Sequence, residues 1–171
     1  MTQLTFRAKL AAFSLITLLA LASNLEAITV GKAAAPPPFK ITAIKAKLFF
    51  ENTGTFSEDI LTQPDLALWN TIIGEGSAGS PSSSTLVLVE VSGQYNPNEA
   101  APDRKVEFTA TAAKKIALKR LDDIHIGKDG KYYAAFWLYD TGCDSVKLSA
   151  RIVGQSQPSA MTKTIPFKCG E

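Results

Sequence analysis

The chain has 171 residues, 46% of them apolar and 20% charged, with 18 basic and 16 acidic side chains and a formal net charge of +2. That near-balance excludes a protein drawn to nucleic acid or to anionic membrane by bulk charge, and the apolar content excludes a chain too polar to fold. Two cysteines without C-x-x-C spacing and a single histidine exclude a thioredoxin-like redox motif and an ordinary structural zinc site.

Met1–Lys9 carries Arg7 and Lys9, and Leu10–Ala22 is an uncharged run of apolar and small residues. Ala20-Leu21-Ala22 and Leu25-Glu26-Ala27 then supply small residues at cleavage spacing. A basic start, an apolar stretch of roughly 7–15 residues and a small-residue end form a secretory signal peptide. Residues 1–27 are therefore expected to be removed, with Ala22 as the alternative cleavage point. The run falls short of the roughly 20 apolar residues that a spanning helix needs, so no membrane span is expected in the remaining chain. The expected location is the periplasm or the cell exterior. Residues 28–40, with Pro36-Pro37-Pro38, read as an extended Ala/Pro-rich tether, and residues 41–171 as one domain, near the common domain size.

From Ile41 the pattern is β. In Ile41–Phe50, Ile44, Ala46, Leu48 and Phe50 alternate with Lys45 and Lys47. Thr85–Ser92, TLVLVEVS, reads as a central strand covered on both sides. Lys105–Thr111 alternates, with Val106, Phe108 and Ala110 inward. Ala113–Ile124 fits helical spacing, but strand is preferred over Lys115–Leu121 because short strands and turns flank it. Gly127-Lys128-Asp129-Gly130 is a turn, and Asp-Gly is a hairpin signal. In Lys131–Asp140, Tyr132, Ala134, Phe136 and Leu138 fill the core, which sends Tyr133, Trp137 and Tyr139 to the other face. Val146–Val153 and Met161–Lys168 form a hairpin around Gly154–Ser159, and Pro166 puts the last strand at an edge or a bulge. Asp65–Ile73 fits a short helix or an irregular crossover. About seven short strands of this kind predict an all-β fold: an antiparallel two-sheet sandwich of the immunoglobulin-like type.

Two cysteines in an exported chain predict a Cys143–Cys169 disulfide. Setting the two opposite each other on a regular ladder places Lys147 opposite Ile165, which mixes faces, so either a bulge is needed or the bond lies beyond the regular ladder. No arrangement of residues marks a catalytic site. Gly74–Gly79 matches G-x-G-x-x-G, but Ser80–Ser84 follows it where a dinucleotide site needs a helix. His125 alternates outward and lacks a nucleophile nearby in sequence. Glu51, Glu58, Asp59 and Asp65 gather around one loop without EF-hand spacing. Lys114, Lys115, Lys119 and Arg120 are balanced by Asp122 and Asp123, short of the sustained basic patch that nucleic acid requires.

The strongest functional feature is the face made by Tyr133, Trp137 and Tyr139. Amphipathic aromatics on a rigid strand suit a glycan or a protein partner, unless a loop covers them. The reading is an exported, non-catalytic binding or interaction module without cofactor or metal. The alternative is a structural cell-envelope subunit assembled through the edge strand Met161–Lys168, and a hydrolase with a spatially assembled site ranks last.

Overall fold

The computed structural model describes residues 37–63, 80–95, 103–140 and 144–168. The chain divides into two compact units, Met1–Ala35 and Pro36–Glu171, and every described residue belongs to the second. Cys143, Cys169, Trp69 and the Gly74–Gly79 string lie outside the described residues, as do residues 1–27 and 65–73.

The described residues are all β, in two antiparallel sheets of four strands that form a sandwich. The first sheet contains β1 (Lys40–Phe50), β2 (Thr55–Phe56), β3 (Ser84–Ser92) and β6 (Lys131–Tyr139), in the order β2-β1-β3-β6. The second contains β4 (Lys105–Ala112), β5 (Lys115–Asp123), β7 (Val146–Val153) and β8 (Ala160–Ile165), in the order β5-β4-β7-β8. The seven strands expected from the sequence are all present, and β2 adds a two-residue pairing to the end of β1.

Alternation decides what is buried. Val87, Val89 and Val91 of β3 meet Val106, Phe108 and Ala110 of β4, and all six are fully buried. Phe108 and Phe136 stack across the two sheets at 4.4 Å, with planes 8° apart. The core therefore lies between the sheets and is closed at the ends by Phe39, Ile60, Ile124 and Phe167. In β1 both Ile41 and Ile44 are buried, which breaks a strict period of two. A bulge between Ile41 and Ala43 inserts Thr42 and restores the facing.

Packing begins upstream of the expected strand start, inside the stretch read as a tether. Phe39 is buried, and the buried Arg104 lies over its ring, with the guanidinium carbon 3.9 Å from the centroid. Arg104 Nη1 also donates to the Pro37 carbonyl at 3.0 Å. The Phe39 amide donates to Gln155 Oε1 and the Ile41 amide to Ser159 Oγ, both on the β7–β8 turn.

Two turns differ from simple expectation. Lys115–Asp123 is a strand, and β4 and β5 join through Ala113 and Lys114, with φ of 47° and 61°. This is a two-residue hairpin of the type that needs positive φ at both central positions, made here without glycine. The Gly127–Gly130 turn forms as expected, with Gly130 at φ 76° and its amide bonded to the Gly127 carbonyl. It links β5 to β6, however, which lie in different sheets, so the Asp-Gly signal marks a crossover rather than a hairpin. The β7–β8 hairpin is present and β8 is an edge. Its register sets Val146 opposite Ile165 and Lys147 opposite Thr164, so inward and outward faces match without a bulge.

Candidate functional site

β6 pairs with β3 in unbroken register, which holds the inward set Ala134, Phe136 and Leu138 in the core. The alternate residues emerge on the outer face of the first sheet: Tyr133 is 44% exposed, Trp137 36% and Tyr139 68%. The structure thus brings the three predicted residues to one exposed face.

Two further aromatics join them. Phe49 of β1 lies in one cross-strand row with Ser84 and Tyr139, and Trp137 stands in the next row beside Leu86. Ser84 is small and buried, so the rings around it meet above the sheet. The Trp137 ring lies 6.0 Å from Phe49, edge-on, and 5.9 Å from Phe56, while Phe49 and Phe56 are 5.2 Å apart. Trp137 and Tyr139 lie near parallel, 14° apart at 6.2 Å. Phe49 was legible only as a neighbour of core residues, and Phe56 falls in a loop by composition. Nothing in their local sequence marks either as part of this face.

The other end of the same face is charged. Glu90 projects outward from β3 yet is buried, and its carboxylate is enclosed by cations. Lys131 Nζ lies 3.0 Å from Oε1 and Lys45 Nζ 3.4 Å from Oε2, while Thr42 Oγ1 donates to Oε1 at 3.0 Å. Lys131 in particular holds the Glu90 carboxyl below its ordinary value, helped by Thr42 and Lys45, and Glu90 raises Lys131 in return. Glu90 is the only charge within β3, which is the sequence signal that locates it. Leu86 and Leu88 beside it are half-buried, so the expectation that Thr85–Ser92 is covered on both sides holds only in part: among the described residues no strand lies over this outer side.

The remaining candidates resolve locally. Glu51 Oε1 accepts from the Ser83 amide and hydroxyl and from the Ser84 hydroxyl, which lowers its carboxyl pKa, the Ser83 hydroxyl contributing most. Asp59 Oδ1 accepts from the amides of Ala46 and Leu61. Both carboxylates therefore hold loop ends onto strands. Among the described residues, no three of His, Cys, Asp and Glu gather as a metal site. His125 is exposed, with its ring 6.1 Å from Tyr132. The Tyr132 hydroxyl donates to Asp122 Oδ2 at 2.6 Å, and burial followed by that bond pushes the phenol well above its ordinary range. In the basic cluster, Lys119 reaches Glu107 at 4.0 Å, and Arg151 Nε bonds the same carboxylate at 2.8 Å. No helix among the described residues is long and apolar enough to cross a membrane.

No family model matches the chain, and comparisons with curated proteins and with solved structures likewise return no match.

Proposed function

We propose that the protein is an exported, non-catalytic binding or interaction module, and that its ligand face is the outer surface of the first sheet at Tyr133, Trp137 and Tyr139, extended by Phe49 and Phe56. The observation that carries this reading is the ring cluster: Phe49, Phe56, Trp137 and Tyr139 contact one another on one strand-held face, Tyr133 stands exposed farther along the same strand, and Tyr139 is 68% exposed. Rings fixed by a sheet lose little freedom on contact, so they give area at low entropic cost. A glycan or an envelope protein is the class of ligand such a surface suits. We also read the strand order as immunoglobulin-like. β1, β3 and β6 then take the places of strands A, B and E, and β4, β7 and β8 those of C, F and G, with β5 as an added strand beside C.

The test is a pair of substitutions. Tyr139→Ala should leave the melting temperature within a few degrees, since the ring is mostly exposed. Trp137→Ala should cost about 1–2 kcal/mol, less than the roughly 3–5 kcal/mol of a fully buried aromatic, because its packing is one-sided. Both should weaken binding in a glycan-array or pull-down assay by tenfold or more. Unchanged binding in both variants removes the face as a ligand site.

A further inference from the structure

Each sandwich edge exposes a row of backbone donors and acceptors, and three of the four edges are guarded. On β1 the Ser57–Ile60 segment covers the row. The Ser57 and Ile60 amides donate to the carbonyls of Leu48 and Ala46, and Ser57 Oγ and Asp59 Oδ1 accept from the amides of the same two residues. β8 is six residues long, is flanked by Pro158 and Pro166, and places Lys163 at a core-side register position opposite Leu148. β5 carries Lys115, Lys119, Arg120, Asp122 and Asp123.

Among the described residues β6 has none of these guards. It runs nine residues in unbroken register, and no charge or proline stands between Lys131 and Asp140. Its phase follows from two bonds at its ends: Asp140 donates to the Ser83 carbonyl and Gly93 to the Gly130 carbonyl. In an antiparallel pair the bonding residues alternate. Tyr132, Ala134, Phe136 and Leu138 therefore bond to β3, and Tyr133, Ala135, Trp137 and Tyr139 turn their N–H and C=O outward, where the described residues provide no strand.

We propose that this edge pairs antiparallel with β6 of a second copy of the chain, about a two-fold axis at Ala135. The residues with outward backbone groups are self-complementary about that point. Ala135 meets Ala135, where the axis demands a small side chain. Tyr133 meets Trp137 of the second copy, an aromatic cross-strand pair, and Lys131 meets Tyr139, a cation against a ring. Every hydrogen bond of the new ladder falls between residues of the outward phase. β5 lies on the same side of the sandwich, joined to β6 through Tyr132 and Asp122. Its basic residues Lys115, Lys119 and Arg120 precede its acidic Asp122 and Asp123, so the two-fold turns the basic end of one β5 toward the acidic end of the other. The pairing extends the interaction-module reading but is measured without any ligand, so each fails separately. It also moves strand-edge assembly from β8 to β6.

Sedimentation of the full exported chain should show a concentration-dependent dimer. Ala135→Lys puts two like charges at the axis, and Ala135→Pro removes an outward N–H while sparing every β3–β6 bond. Both should be monomers at concentrations where the parent is dimeric, with the melt of the monomer retained. In the parent, the Tyr133, Ala135 and Trp137 amides should exchange slowly with solvent and speed up on dilution. A dimer that persists in both variants overturns the proposal. So does a parent that stays monomeric with those amides exchanging freely at every concentration, which leaves the edge to an extended peptide.

Discussion

Trp137 packs against Phe49, Phe56 and Tyr139 yet stays 36% exposed, and this is what separates it from Phe136, its neighbour in the chain. Phe136 stacks on Phe108 inside the core, while Trp137 leans on Phe49 and Phe56 and keeps a free surface. Alternation alone predicts that separation. It does not predict Glu90, whose carboxylate depends on Lys131, Lys45 and Thr42 from two other strands. With its folded pKa held below the ordinary 4.5, Glu90 contributes stability that is complete above that value and is lost as pH falls through the folded value. Glu90→Gln should therefore be less stable than the parent by about 1–2 kcal/mol at neutral pH. Denaturant titrations at stepped pH should show the gap closing below pH 4.5. A gap unchanged down to pH 2–3, the foot of the carboxylate range, would mean that shape rather than charge holds the site.

Among the elements, the β4–β5 hairpin has an identifiable weakness. Ala113 and Lys114 sit at positive φ, which costs an ordinary L-residue roughly 1–2 kcal/mol. Asn and Gly suit those positions, so the double substitution Ala113→Asn, Lys114→Gly should stabilise the domain by about 1 kcal/mol in thermal melts, with no change in ligand binding. The missing glycine also explains why the segment fits helical spacing as well as a strand, since nothing in its composition announces the turn. The β7–β8 hairpin bears on the cysteines. Cys143 precedes Val146 and Cys169 follows Ile165, and Val146 and Ile165 are a matched pair, so the cysteine-bearing segments continue from adjacent strand ends. Non-reducing mass spectrometry of protein isolated without reductant should find the two linked, and reduction should lower stability by roughly 3 kcal/mol. Two free thiols would defeat this.

Across the whole molecule, what was legible is what depends on period. The inward sets of β1, β4, β6 and β7 and the exposed Tyr133, Trp137 and Tyr139 follow from side chains alternating across a pleated surface, whereas β5 has no buried side chain and leaves Ile116 and Leu121 exposed. Apart from the β7–β8 hairpin, what was not legible is which strands become neighbours. β5 and β6 are consecutive and joined by Asp-Gly, yet they lie in separate sheets, because each already has a better partner in β4 or β3. The meeting of Phe49 and Phe56 with Trp137 depends on the same non-local pairing.

The clamp at the start of the domain has a mechanical consequence. A chain pulled from its upstream end loads Pro37 and Phe39 before it loads β1. Arg104 leads into β4, and Gln155 and Ser159 belong to the β7–β8 turn, so their bonds carry that pull into the second sheet as well as the first. Force is thus divided between the two halves of the sandwich at the point of attachment, instead of unzipping β1 from β3 one bond at a time. Under tension applied at this end the two sheets resist as a unit, and the first contact to yield is Arg104–Phe39 rather than the ladder.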